Sequence, residues 1–317
     1  MTVESSTSEL IRNLRGAKES IDPWRPLAVL RESERTLEGG LVSTVTVFLA
    51  GAECPFSCSF CDLWRRTLDG PTPPGALPAQ IEAALSEIDE IPRDARLKLY
   101  NASNFFESRA VPAVDLPRIA ELAAPFERLV VECHPLLIDR RVVEFAARLG
   151  PRLEVAMGLE TVHPAVLPSL NKEMSLKDFD RAAATLVAND ILLRAFVLVA
   201  PPGLDPRDSI DWAVVSTAYA LERGAETVTL IPVRGGNGEL ERLGERGSFN
   251  EPSLAVVEAA FERCSDLAGG VVLLDLWDLE RFARCATCRG ARRERLEQMN
   301  TSGCRLPEVH CELCADA

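Results

Sequence analysis

The chain has 317 residues, enough to bury a large core, and its 47% hydrophobic and 26% charged residues are typical of a folded globular protein. Its formal net charge of −13 argues against a protein that holds nucleic acid over its whole surface. No apolar run is long enough to span a bilayer, and the first twenty residues contain no signal-peptide core, so we expect a cytoplasmic protein without membrane contact.

The ten cysteines are distributed unevenly along the chain. Because the cytoplasm is reducing, we expect metal ligands, catalytic thiols or buried apolar side chains rather than disulfides. Three cysteines lie within residues 54–61 and five within 285–314, whereas Cys133 and Cys264 are isolated. An isolated cysteine is most often a small core residue. The two clusters are therefore the candidates for chemistry.

Composition divides the chain into three segments. Residues 1–40 are polar and predict an N-terminal extension, and residues 281–317 form a cysteine-rich, metal-binding C-terminal segment. Between them, residues 41–280 alternate short apolar segments with segments of helical apolar spacing. The predicted strands lie at 42–50, 97–102, 129–133, 152–160, 192–202, 227–233 and 270–277. The predicted helices lie at 79–88, 114–126, 139–149, 164–170, 175–190, 208–224 and 253–267.

This alternation predicts an α/β fold with a parallel sheet. Six or seven strand–helix units favour a complete or partial barrel over an open sheet. In either architecture the chemistry lies beyond the carboxyl ends of the strands, and the first cysteine cluster follows the first of these predicted strands.

The segment AGAECPFSCSFCDLW carries Cys54, Cys58 and Cys61 with the spacing C-x₃-C-x₂-C. Thiolates are soft ligands that suit zinc or iron–sulfur iron, and three of them leave one coordination position open for chemistry. A structural zinc site is the alternative, with His134 or His163 as a possible further ligand.

The motif C-x₃-C-x-aromatic-C in this position resembles that of the radical S-adenosylmethionine (SAM) superfamily. The resemblance implies a partial (β/α)6-type TIM barrel over about residues 41–280, a [4Fe–4S] cluster held by the three cysteines, and SAM bound at the iron that has no protein ligand. It also implies that Phe60 packs near the adenine. An electron donor such as flavodoxin or ferredoxin would reduce the cluster, and the resulting 5′-deoxyadenosyl radical would abstract hydrogen from a substrate.

The same resemblance suggests further contacts to SAM. Asn101, Ser103 and Asn104 follow the second predicted strand, where the family usually has a glycine- and glutamate-containing segment; this sequence departs from that pattern, and a helix N-cap with turn-forming asparagines is the alternative. Glu160 resembles the family's polar residue near the ribose and methionine. Arg194 faces the SAM carboxylate or forms a structural ion pair.

Several further segments narrow the resemblance within the barrel. Most similar to the branch near the Elongator catalytic subunit and the archaeosine-forming radical SAM proteins are YNASNFF, VECHP, GLET with the following LNK, and the glycine-rich run P…GNG.LE.L…G. That branch implies a tRNA nucleoside as substrate, whereas the acidic balance of the chain favours a small metabolite or a partner protein.

The second cysteine cluster predicts a metal site in the C-terminal segment. Its candidate ligands are Cys285, Cys288, Cys304, Cys311 and Cys314, which suit either a structural zinc ion or an auxiliary iron–sulfur cluster. A run of arginines nearby forms either a solvated helix face or a phosphate-binding surface, and consists of Arg281, Arg284, Arg289, Arg292, Arg293 and Arg295. The alternative function is therefore a non-catalytic, zinc-stabilised nucleic-acid-binding protein.

Overall fold

The computed structural model describes residue 3 and residues 5–88, 90–150 and 152–314. These residues contain one eight-stranded sheet whose strands lie side by side in chain order. The strands are β1 (Ala28–Arg35), β2 (Leu41–Leu49), β3 (Arg96–Asn101), β4 (Arg128–Glu132), β5 (Arg152–Glu160), β6 (Leu192–Val199), β7 (Ala225–Pro232) and β8 (Val271–Leu274).

The sheet curls into a partial barrel, which confirms the predicted fold class. Strands β2 to β8 run parallel, and β1 pairs antiparallel with β2. Arg35 at the end of β1 donates to the main-chain oxygen of Val272 in β8 at 3.5 Å, so the first and last strands approach each other. Strand β1 lies within residues 1–40, where the sequence analysis expects no strand.

Helices connect the strands and cover the outside of the sheet. They are α1 (Ser8–Asn13), α2 (Ala76–Ser86), α3 (Leu116–Ala123), α4 (Arg140–Ala146), α5 (Val166–Ser169), α6 (Leu176–Ala188), α7 (Asp208–Glu222), α8 (Glu239–Glu245), α9 (Leu254–Ser265) and α10 (Arg289–Ser302). Local sequence fixes some of their ends. For example, Ser175 and Asp178 form a capping box that begins α6.

Successive residues of a strand face opposite sides of the sheet, and the two sides differ in chemistry here. Residues such as Val47 and Leu99 are fully buried in the hydrophobic core shared with the helices. The residues that alternate with them face the barrel interior, where several are charged and buried, among them Arg96, Lys98, Arg128, Glu154 and Arg194. The interior is therefore filled by charged side chains in its amino-terminal half.

Candidate metal centre and cofactor site

The three-cysteine loop follows β2 and lies across the carboxyl ends of the strands. Two amide side chains from distant loops hold its backbone: Asn171 Nδ2 donates to the Ser57 oxygen (2.7 Å), and Asn237 Nδ2 donates to the Ser59 oxygen (2.8 Å). The Ser59 nitrogen donates in turn to the Leu170 oxygen (2.9 Å). Since these partners follow β5 and β7, the loop is fixed to loops on the far side of the barrel.

Asn104 and His134 hold the other side of the loop. Asn104 Nδ2 lies 3.4 Å from Cys54 Sγ and donates to it, while Asn104 Oδ1 accepts from the His134 backbone nitrogen (2.7 Å). The His134 ring stacks on Phe56 with centroids 3.9 Å apart. Its Nδ1 accepts from the Leu136 nitrogen, so Nε2 carries the proton that it donates to the Lys172 oxygen (2.9 Å). Both ring nitrogens are thus occupied, and His134 is not free to bind a metal.

One buried ion pair, between Lys172 and Glu160, lies beside the thiols. Burial raises the pKa of Cys54, raises that of Cys58 to about 12 and raises that of Cys61 further, while the Lys172 ammonium partly opposes the effect at the first two. The thiols are therefore protonated until a metal displaces their protons. Lys172 itself is paired with Glu160 (2.5 Å), and although burial opposes its charge, the Glu160 carboxylate raises its pKa.

Two more of the predicted SAM contacts have unpaired polar atoms. Asn101 is 5% exposed, and neither of its amide atoms has a hydrogen-bond partner among the described residues. The hydroxyl oxygens of Ser103, and of Ser57 and Ser59 in the loop, are also buried without a partner in that part of the chain. Because a buried polar atom without a partner is costly, the Ser57 and Ser59 hydroxyls fit a polar ligand at the cysteine loop itself.

Phe60 and Arg194 lie in contrasting places. Phe60 is half-buried, and its ring packs against an apolar cluster that includes Leu170. Arg194 is 2% exposed and lies in the interior of the barrel, where it donates to both Glu34 carboxylate oxygens (2.9 and 3.0 Å) and to Glu154 (2.6 Å). It forms the structural ion pair that was the alternative, and it is not brought to the cysteine loop.

The barrel interior near the loop is lined by aromatic rings and one carboxyl group. Tyr100 makes edge contacts with Phe48 and Phe196, with ring centroids 6.3 and 6.5 Å apart. Glu132 at the end of β4 is half-buried, and its side chain has no hydrogen bond or ion pair within the described residues. Burial raises its pKa to about 8, against the opposing charges of Lys172 and Lys98. This interior suits a planar group that carries hydrogen-bonding atoms.

The C-terminal cysteines form a second, separate cluster. The sulfurs of Cys285, Cys288, Cys311 and Cys314 all lie within 4.8 Å of one another. Backbone N–H groups of Cys288 and Thr287 donate to Cys285 and lower its pKa to about 6. Cys304, in contrast, is exposed and donates to the Ser302 oxygen (3.7 Å), so it does not join the four.

The nearby arginines are mostly neutralised. Arg281, Arg292, Arg293 and Arg295 pair with glutamates, which include Glu251, Glu258, Glu280 and Glu262. The segment therefore does not present a continuous cationic face, and a phosphate-binding surface there is not supported. Among the described residues, no helix is both long and apolar enough to cross a membrane.

No protein-family model matches the chain. An uncharacterized protein of Methanocaldococcus jannaschii is 20% identical over 311 residues, which cover 92% of this chain and 85% of that protein. Archaeosine synthase subunit beta of Thermococcus kodakarensis is 26% identical, covering 55% of this chain and 56% of that protein, and its Methanosarcina acetivorans counterpart is 23% identical, covering 69% and 66%. The chain thus spans less than two thirds of the length of the two archaeosine synthase subunits.

Solved structures decide the fold. Methylornithine synthase superposes with a TM-score of 0.53 at 12% identity, covering 84% of this chain and 75% of that one. A radical SAM methyltransferase from Sphaerobacter thermophilus gives a TM-score of 0.51 at 15% identity, covering 80% and 77%. The chain has the radical SAM fold. The resemblance inferred from the cysteine motif is confirmed at this level.

Within this radical SAM fold, three side chains organise the cysteine loop in ways that sequence reasoning did not assign to them. Lys172 lies beside the thiols, Asn237 binds the loop backbone, and His134 stacks on Phe56. A lysine or asparagine next to a glycine-rich or short helical segment gives no signal of its own. Only the position of each residue just after a strand of the barrel indicates a role at this end of the molecule.

Proposed function

We propose that the chain is a radical SAM enzyme in which Cys54, Cys58 and Cys61 bind a [4Fe–4S] cluster. The observation that carries this proposal is a loop with three thiols at the carboxyl end of a radical SAM barrel, next to buried polar atoms that have no partner among the described residues. The loop sulfurs are not among the tightly grouped metal ligands of the described residues. The thiolates of a cubane cluster bind different irons, so they need not be grouped as tightly as the ligands of one ion.

When bound, the cluster and SAM supply a 5′-deoxyadenosyl radical that abstracts hydrogen from the substrate. The residues of this chain bind and orient the cluster and SAM, and they exclude water from the site. Asn104 donates to Cys54 and fixes its sulfur, and the Lys172 ammonium favours the thiolate forms of Cys54 and Cys58. Phe60, Asn101 and Ser103 are the proposed SAM contacts, and Glu160 takes part by positioning Lys172.

The substrate that we propose is a nucleoside, and the setting that two sequence relatives suggest is tRNA. Both relatives are named archaeosine synthase subunit beta. The interior beside the loop supports a planar heterocycle, because Phe48, Tyr100 and Phe196 offer ring faces and edges and Glu132 offers an unpaired carboxyl group. A small metabolite with the same features would fit too. A reduced flavodoxin or ferredoxin is the proposed electron donor.

The experiment that tests the reaction is anaerobic reconstitution with iron and sulfide, followed by reduction and incubation with SAM. We expect 5′-deoxyadenosine to form. Cys58→Ala should abolish this product, while the matched control Cys304→Ser should form it at the native rate, since Cys304 is exposed and away from both clusters. Product formation by Cys58→Ala would contradict the cluster assignment.

The experiment that tests the substrate class is binding of unmodified tRNA transcripts at several salt concentrations. Phosphate contacts release counterions, so the affinity should fall steeply as salt rises. If tRNA does not bind at low salt, the tRNA substrate is wrong, and a small heterocyclic metabolite becomes the proposed substrate. The same measurement tests the non-catalytic alternative, which the pairing of four arginines with glutamates already disfavours.

A further inference from the structure

The four C-terminal sulfurs have the spacing of ligands to a single metal ion. Cys288 and Cys314 sulfurs lie 3.5 Å apart, and Cys285 and Cys311 sulfurs lie 4.0 Å apart. With zinc–sulfur bonds of about 2.3 Å, two thiolates on one tetrahedral zinc lie about 3.8 Å apart. The thiolates of a cubane cluster bind four different irons and are separated by more than this. The described geometry therefore fits one ion rather than an auxiliary cluster.

The ligands come from two short arms at opposite ends of one helix. Cys285 and Cys288 precede α10, and Cys288 is the residue at which that helix is capped. Cys311 and Cys314 belong to the turn after the helix, where the Cys314 nitrogen donates to the Cys311 oxygen (3.0 Å). A metal bound by both arms closes a loop of chain that contains α10. It therefore fixes the tail that follows the helix to the residues that precede the helix.

Helix α10 lies where the partial barrel is open. It packs against both β1 and β8, the two edge strands of the sheet. Asn300 of α10 completes the edge of β8: its Oδ1 accepts from the Leu274 nitrogen (2.8 Å), and its Nδ2 donates to the Leu274 oxygen (2.9 Å). Leu296 and Met299 are buried in the main core. The helix thus covers main-chain groups that an edge strand would otherwise leave exposed.

We propose that Cys285, Cys288, Cys311 and Cys314 bind one tetrahedral zinc ion, without Cys304, and that this zinc holds α10 across the opening between β1 and β8. The proposal does not depend on the proposed function, because it concerns a different set of cysteines. The second metal site then has a structural role, and electron transfer takes place only at the three-cysteine site.

The test uses the full chain with Cys54, Cys58 and Cys61 all changed to alanine, so that only the second site remains. After anaerobic exposure to iron, sulfide and zinc, we expect about one zinc per chain, no iron and no colour. Replacing zinc by cobalt should give the visible absorption of a tetrahedral tetrathiolate site. A brown protein that contains iron and sulfide would overturn the proposal.

Two further variants on this background test the ligand set. Cys304→Ser should keep the full zinc content and the cobalt spectrum, and a loss of either would show that the set of four is wrong. Cys311→Ser should lower the affinity for zinc by at least tenfold; an unchanged affinity would also overturn the assignment. If Cys311→Ser does not fold, the cobalt spectrum of the variant with only Cys54, Cys58 and Cys61 replaced still tests whether the site has four thiolate ligands.

Hydrogen exchange of the zinc-loaded and chelated forms tests the role in closing the barrel. Removal of zinc should accelerate exchange at least tenfold in 271–274 and 28–35, while the central strands β4 and β5 should keep their protection. Equal protection of the edge strands with and without zinc would overturn the structural role. Failure of the native protein to form 5′-deoxyadenosine would count against the proposed function, which concerns the first site, and not against the structural role of the zinc.

Discussion

Asn104 links the cysteine loop to the barrel through both atoms of one amide. Its nitrogen donates to Cys54 Sγ and its oxygen accepts from the His134 backbone, so the orientation of the amide is fixed by two different partners. The sequence predicted a SAM contact for this residue. The contact to a cysteine sulfur also gives it the position of a group that orients and tunes a metal ligand.

Asn104→Ala should lower 5′-deoxyadenosine formation about 10–100-fold, the usual cost of removing a partner of a metal ligand. The reason is that Cys54 loses its only side-chain donor among the described residues. Iron content, measured together with the rate, separates weaker cluster binding from slower chemistry. Asn189→Ala, at an exposed helix end, is the control and should behave like the native protein. Native rate and iron content in Asn104→Ala would contradict this role.

His134 makes the same region sensitive to acid. Burial lowers the pKa of His134 to about 3, below the value of about 6.5 in an unfolded chain. The neutral ring therefore contributes stability that is present above pH 6.5 and is lost as the pH falls from 6.5 towards 3, on the order of 5 kcal/mol in total. Urea unfolding between pH 7 and pH 4 should show a smaller loss of stability in His134→Gln than in the native chain. Parallel pH curves would rule out this contribution.

At the scale of elements, the end of β5 is shaped to make room for an ion pair. A Cβ atom on Gly158 would lie 2.0 Å from Glu160 Oε1 and 2.4 Å from Lys172 Nζ. Glu160 has φ of 65°, and the register between β5 and β6 shifts between Gly158 and Glu160. The small residue and the irregular strand end together allow Glu160 and Lys172 to meet beside the thiols.

Gly158→Ala should therefore destabilise the protein by about 1–3 kcal/mol, the usual cost of overfilling a packed site. It should also slow 5′-deoxyadenosine formation, because Lys172 must move away from Cys58. Gly290→Ala is the matched control, since nothing lies within 4 Å of an added Cβ in that helix, and alanine favours the helix by up to about 1 kcal/mol. Thermal unfolding measures both. Equal stability of the two variants would mean that Glu160 and Lys172 move aside for the added methyl group without loss of folding free energy.

The elements that the sequence predicted well are those with one apolar face. The parallel strands alternate core residues with interior residues, and the helices follow their apolar spacing. The sequence did not predict strand β1 (Ala28–Arg35). Its sequence is AVLRESER, and charged residues dominate the second half. Those charges belong in a strand here because Glu34 pairs with cations inside the barrel, a context that periodicity does not encode.

The candidate site was predictable only in part, for a similar reason. The spacing of three cysteines after a strand sufficed to locate the loop and to indicate its chemistry. The contacts that hold the loop come from residues far away in sequence, such as Asn237, which lies 178 residues from Ser59. For Arg194 the sequence left open a SAM contact or a structural ion pair, and in the structure it forms ion pairs with Glu34 and Glu154 near the start of β6.

At the scale of the whole molecule, one buried charge network ties the first strand to the rest of the barrel. Glu34 of β1 binds Arg194 of β6 and Lys98 of β3, and it lies 3.7 Å from Arg96. Glu154 binds the other side of Arg194. Since β1 pairs only with β2 in the sheet, Glu34 provides its direct link across the interior to β6.

Glu34→Gln should lower the free energy of unfolding at pH 7 by about 3–5 kcal/mol, because it leaves buried cations without a carboxylate. Glu32→Gln is the matched control: it lies on the same strand and side, is exposed, and should change stability by no more than about 0.5 kcal/mol. Denaturant unfolding measures both variants. A small effect of Glu34→Gln at pH 7 would show that the network does not secure β1.

The pH dependence of this difference identifies its origin. Burial alone would raise the pKa of Glu34, but the charges of Arg194 and Lys98 outweigh it and hold the pKa well below its usual range. A carboxyl group with a lowered pKa contributes stability that is present above its unfolded value of about 4.3 and is lost as the pH falls below it. The gap between native protein and Glu34→Gln should therefore narrow below pH 4. If the gap stays constant down to pH 2, lost packing rather than lost charge explains the destabilisation, and the network does not act through its ion pairs.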